Sequence, residues 1–126
     1  MILVDTSVWI EMLAGKDRFA MRDEDLPYFA TCGPVIQEVF QGLRQGPSIA
    51  VFREAFLALP VLSDPIPLQL FLAAADIYQQ GRRRGLTIRS SADCLIAAIA
   101  IENRVPVWHS DRDFSAIARY TALEVA

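Results

Sequence analysis

Five acids stand where carboxylates rarely sit by accident. Asp5 closes the apolar run MILV, Asp93 precedes eight consecutive apolar residues, Cys94 to Ile101, and Asp111 and Asp113 follow the short run VPVW. Glu38 lies on the flank of an apolar helical stripe, beside Pro34 and Gly42 rather than among the glutamines. Carboxylates gathered within a few ångströms repel one another and cannot all stay ionised without a compensating cation. Hard divalent cations such as Mg²⁺ suit oxygen donors, and such an ion lowers the pKa of a bound water and neutralises charge on a phosphodiester under attack. With one histidine, no serine triad and no GxxxxGK loop, acid-and-metal chemistry is the catalytic route these residues support.

Each acid taken alone has a plainer reading. Ser90-x-x-Asp93 and Ser110-x-x-Asp113 fit capping boxes, Glu38 fits a solvated helix position, and His109 fits a strand end. Trp9, Trp108 and the phenylalanines are core material first. Capping does not account for Asp5, because Thr6 and Ser7 already serve the helix that follows it.

Positioning these acids together requires particular elements. The pattern predicts a strand over Met1–Val4, a helix from Thr6 ended by Gly15, and a connection from Lys16 to Asp25 with room for a short helical turn. A second strand over Tyr28–Cys32 leads into a helix with proline at its first position, stopped by Gly46-Pro47. Helices follow over Ile49–Leu59, Leu68–Arg84 and Ala92–Asn103. A strand over Val105–Trp108, a short helix over Phe114–Tyr120 and a last strand over Leu123–Val125 complete the chain. Short apolar strands alternating with helices predict an α/β fold, a three-layer α/β/α sandwich around a mainly parallel sheet. In such sheets ligands bind beyond the carboxyl ends of the strands, where all five acids are expected to converge.

At 126 residues and 53% hydrophobic, the chain suits one domain with one core. No apolar run reaches the length of a membrane span and no basic leader precedes the first one, so a cytoplasmic protein without a membrane partner is expected. Cys32 and Cys94 lie far apart with no metal-ligand spacing and are expected as buried small hydrophobes. The net charge of −3 argues against a general polyanion-binding surface. Arg82, Arg83, Arg84 and Arg89 nevertheless form a basic cluster, for which a solvated helix end and contact with phosphates stand as equal readings.

The stretches ILVDTSVWIEML, PVIQEVFQGLRQG and RRRGLTIRSSADCLIAAIAIENRVPVWHSDRDFSAIAR, in that order, resemble the PIN domain, in particular the VapC-type toxins of toxin–antitoxin pairs. The likeness covers nearly the whole chain, while the segments Lys16–Asp25 and Ile49–Pro67 match no motif. The resemblance implies a catalytic quartet of Asp5, Glu38, Asp93 and Asp111, with Asp113 as a fifth member and Thr6 or Ser7 supporting the metal shell. It implies a Mg²⁺- or Mn²⁺-dependent endoribonuclease, usually a homodimer, silenced by a small VapB-like antitoxin. On this reading Asp5 and Asp93 hold the principal ion, Asp111 and Asp113 complete that site or a second one, and Glu38 ligates or orients the attacking water. Two alternatives stand beside it: a phosphorylation-receiver module, which wants adjacent acids after its first strand and a lysine after its last, and a catalytically silent PIN-like binding module. The same metal chemistry also serves a DNA-directed nuclease.

Overall fold

The computed structural model describes residues 1–15, 22–44 and 46–126. Its first strand, β1 (Ile2–Val4), carries Leu3 and Val4 fully buried, as expected of a parallel strand covered on both faces. Asp5 ends the strand by taking the N-cap of α1 (Thr6–Leu13), the role expected of Thr6 and Ser7, which instead lie inside the helix. A 3₁₀ turn over Asp23–Tyr28 then leads into β2 (Phe29–Cys32), every residue of which is buried. Proline at the start of α2 (Gly33–Gly42) follows directly, because its fixed φ suits a first turn and its missing N–H costs nothing there.

After α3 (Pro47–Leu57) come the two-residue strand β3 (Val61–Leu62) and α4 (Leu68–Arg83). The central helix α5 (Ser91–Asn103) buries Cys94 and Ile96 through Ala100. The strand β4 (Val107–Trp108) and the helix α6 (Arg112–Ala118) follow it.

The sheet runs β3-β2-β1-β4 with every pairing parallel, in a register that sets Ile2 beside Phe29 and Leu3 beside Val107. Helices cover it to give the three-layer α/β/α sandwich that the alternation of elements predicts. Every strand therefore points the same way, and the helices that follow begin at one edge. Trp9 anchors α1 to the core: its indole N–H donates to the Val4 carbonyl at 3.1 Å, and its ring meets Phe29, Phe52 and Phe56 edge-on.

Several expected elements shift. The strand β3 has no counterpart in the sequence reading, α2 stops at Gly42 rather than at Gly46-Pro47, and α3 begins two residues earlier than expected. The helix α6 starts at Arg112, because Asp111 caps it and places Asp113 in its first turn. The expected last strand is a single parallel bridge of Val125 to Val107, fastened by bonds from the Val107 N–H to Glu124 O and from the Ala126 N–H to Val107 O, both 2.9 Å. The connection expected over Lys16–Asp25 lies partly outside the described residues, and the rest of it begins the 3₁₀ turn.

The helices α4 and α6 are tied where Tyr120 donates its hydroxyl hydrogen to the Ile77 carbonyl at 2.9 Å. That hydroxyl would lie 2.7 Å from a Cβ at Gly81. In an ordinary helix Gly→Ala stabilises by about 0.5–1 kcal/mol. Here the sign should reverse: Gly81→Ala is expected to destabilise by about 1–3 kcal/mol in urea unfolding. In a Tyr120→Phe background, where the obstructing oxygen is gone, the cost of Gly81→Ala should shrink. An equal cost in both backgrounds would show that the contact does not govern the helix spacing.

Candidate metal centre

The site grows from helix starts. Asp5 Oδ2 accepts the Ser7 N–H at 3.0 Å and the Ser7 hydroxyl at 2.6 Å. Ser7 Oγ in turn accepts the Ser110 N–H at 3.0 Å, so one serine joins the end of β1 to the loop that carries Asp111. Asp111 caps α6 by accepting the Asp113 N–H at 2.9 Å. Asp113 Oδ2 accepts the Arg89 N–H at 3.2 Å, and the Arg89 guanidinium lies 3.6 Å from Asp111 and 3.8 Å from Asp113. Thr6 makes a long bond of 3.4 Å to Glu38 Oε1, bringing the helix after β2 to the same edge.

Asp93, Asp111 and Asp113 come closest together, each offering one oxygen within 4.8 Å of the others. That trio does not include Asp5, whose Oδ2 is bonded to Ser7. Asp5 still shares the field of the cluster. Burial raises its pKa above the usual carboxylate range, opposed by the bonds from Ser7 and reinforced by Asp111. Glu38 is raised by its own burial and by Asp5, with the Thr6 bond working the other way.

Asp93 is the extreme case. It is 6% exposed, and burial followed by the negative charges of Asp5, Asp111, Asp113 and Glu38 pushes its pKa up to about 8. In the metal-free protein it is a largely protonated acid at neutral pH.

Oxygens sharing one Mg²⁺ or Mn²⁺ at bond lengths near 2.1 Å lie roughly 3–4 Å apart, so a small contraction of the trio suffices. The donor set, all carboxylate and mutually repelling, fits a hard divalent cation. Thiol chemistry does not compete: burial pushes Cys32 up to about 12 and Cys94 up to about 11, leaving both inert.

Three further expectations meet the geometry, and a fourth falls outside the described residues. Ser90 caps α5 without a side-chain bond, and the α6 cap is Asp111 rather than Ser110, so neither capping box forms. Of the arginines, Arg82 and Arg83 lie exposed in the last turn of α4, while Arg84 stacks over the Tyr120 ring at 5.1 Å. Arg89 alone of the four faces the acids, paired with them rather than free. Lys16, the one lysine on which the receiver alternative turns, lies outside the described residues.

Sequence reasoning missed the Ser110 N–H and the Arg89 pairing, since neither leaves a motif. It also missed a groove of about 900 Å³ that opens beside Glu38, walled by Pro34, Phe71, Tyr78 and Leu95.

Comparison with known proteins matches residues 2–120 to the PIN domain family. A VapC ribonuclease of Mycobacterium bovis and the ribonuclease VapC11 of Mycobacterium tuberculosis are each 36% identical over 132 residues, covering 100% of this chain and 98% of theirs. Among solved structures, VapBC2 of Rickettsia felis bound to a promoter DNA fragment superposes with a TM-score of 0.73 at 17% identity, covering 100% of this chain and 98% of that one. VapBC-5 of Mycobacterium tuberculosis gives 0.67 at 27% identity, covering 98% and 94%.

The raised pKa of Asp93 has a signed consequence. A buried acid whose folded pKa exceeds its unfolded value stabilises the fold fully below the unfolded value and loses that contribution as pH rises through the folded one. The melting temperature of the metal-free protein should therefore fall as pH rises from about 4 to about 8. Asp93→Asn should flatten that slope and raise the melting temperature near pH 8. A metal-free Asn variant with the parent's slope would place the repulsion elsewhere.

Proposed function

The chain belongs to the PIN domain family, and we propose that it is a Mg²⁺- or Mn²⁺-dependent endoribonuclease, the toxin of a VapBC-type pair. The observation that carries the metal reading is the carboxylate trio of Asp93, Asp111 and Asp113 within 4.8 Å, with Asp93 buried beyond ordinary ionisation. The relatives named as ribonucleases, matched over the full chain, favour RNA over DNA as substrate.

In this reading Asp93, Asp111 and Asp113 hold the ion. Once bound, it supplies a water of lowered pKa and neutralises charge on the phosphodiester. Asp5, fixed by Ser7, adds its charge to the field of the trio and is the candidate to complete the metal shell. Glu38, half-buried and held among the described residues by the long Thr6 bond, is free to turn its carboxylate toward the attacking water and take its proton. Because water attacks rather than the ribose 2′-hydroxyl, the products carry a 5′-phosphate and a 3′-hydroxyl.

The partner reading follows the same line. Structures similar to this chain are toxin–antitoxin complexes, and a VapB-like antitoxin is the proposed partner. The face of α4 leaves Leu68, Phe71, Leu72 and Tyr78 exposed, which gives the antitoxin or a second copy in a homodimer an apolar surface to cover. No helix of the described residues is long and apolar enough to cross a membrane, and the buried free thiols suit a reducing cytoplasm.

Purified protein should cleave RNA with Mg²⁺ or Mn²⁺ and stop when EDTA removes the ion. Ser7→Ala, which deletes the bridge between Asp5 and Ser110, should lower activity roughly 10- to 100-fold. Asp93→Asn should lower it by at least as much. Cleavage undiminished in EDTA, or unimpaired in Asp93→Asn, would overturn the assignment.

A further inference from the structure

Arg89 lies in the connection between α4 and α5 and meets the acid cluster twice. Its main-chain N–H donates to Asp113 Oδ2 at 3.2 Å. Its guanidinium sits with Nη2 3.6 Å from Asp111 Oδ1 and Nε 3.8 Å from Asp113 Oδ1. Both carboxylates belong to the trio that fits a divalent ion. Guanidinium and metal therefore address the same two side chains.

The charge of an arginine is permanent over the whole working pH range. The contacts are longer than hydrogen bonds, and the arginine side chain is 55% exposed, which makes this pairing weak and exchangeable. The other three arginines of the cluster do not share this position: two are exposed on the last turn of α4, and Arg84 is engaged by Tyr120 and by the Gln80 carbonyl.

We propose that Arg89 is the resident counter-cation of the site, holding Asp111 and Asp113 together in the metal-free protein and competing with the divalent ion for them. The proposal rests on the metal-site reading above. It makes Arg89 a positioning residue for the acids, with an effect on the metal opposite to that of a supporting residue: its loss should tighten metal binding. A guanidinium that merely buttressed the loop would, on removal, leave affinity unchanged or weaken it.

The test is calorimetric titration with Mn²⁺ of the parent, Arg89→Gln and Arg89→Lys at a fixed salt concentration of about 0.1 M, since exposed charges are screened. Arg89→Gln should bind Mn²⁺ roughly two- to fivefold more tightly, the scale of an exposed ion pair. Arg89→Lys, which keeps the charge, should stay within about twofold of the parent on that same scale. The metal-free Gln variant should melt below the parent, and saturating Mn²⁺ should close that gap. A Gln variant that binds Mn²⁺ no more tightly than the parent, or a Lys variant that tightens as much as Gln, overturns the counter-cation role while leaving the metal site intact. A parent that binds no Mn²⁺ overturns both.

Discussion

Mutual repulsion among carboxylates in a dry setting is the constraint around which this molecule is arranged. Asp5, Asp93 and Asp113 are each at most 6% exposed, and Asp111 and Glu38 stand close enough to disturb them. Left to itself such a cluster would take up protons or push its elements apart. What resists is the apolar packing on either side: Leu3 and Val4 behind Asp5, Ile96 through Ala100 behind Asp93, Phe114 and Ile117 behind Asp113. The core does not merely fold the chain. It holds charges where water would otherwise separate them.

The parallel sheet explains why the charges meet at all. When every strand points the same way, each following helix begins at the same edge, and helix starts are where carboxylates find unpaired N–H groups and the positive end of the dipole. Asp5 and Asp111 are N-caps, and Asp93 and Asp113 lie in first turns. The capping and catalytic readings of these acids are thus not rivals. Capping fixes one oxygen of Asp5 and one of Asp111 on the backbone at the edge where the cluster forms.

How much of this was legible in the sequence depended on the length of the signal. The eight-residue apolar run after Asp93 could only be a central helix, and the glycine-proline pair before Val35 marked the start of α2. Val61–Leu62 is two residues long and preceded by Pro60, too short to show a period, and it becomes a strand only because β2 offers an edge to pair with. The last strand failed for a similar reason, since one bridge at Val125 is fixed by neighbours rather than by its own pattern. All five acids were visible because residue type and place in the chain both marked them. Their pairing was not: which carboxylate turns to Ser7 and which to Arg89 is decided by contacts between segments many residues apart.

The same contacts divide the acids by freedom of movement. Asp5, Asp111 and Asp113 each accept a main-chain N–H, from Ser7, Asp113 and Arg89 respectively, so their positions follow the backbone. Asp93 has no donor among the influences on its ionisation; every one of them raises its pKa. Among the described residues Glu38 has the long contact with Thr6, and it lines the wide groove that Phe71 and Tyr78 help to wall. Three of the carboxylates are therefore held by the backbone, the Asp93 pKa is raised by burial and by the charges of its neighbours, and Glu38 borders the groove. Under the proposed function, rigidity at the backbone-held acids would serve metal recognition and adjustability at Glu38 would serve proton transfer.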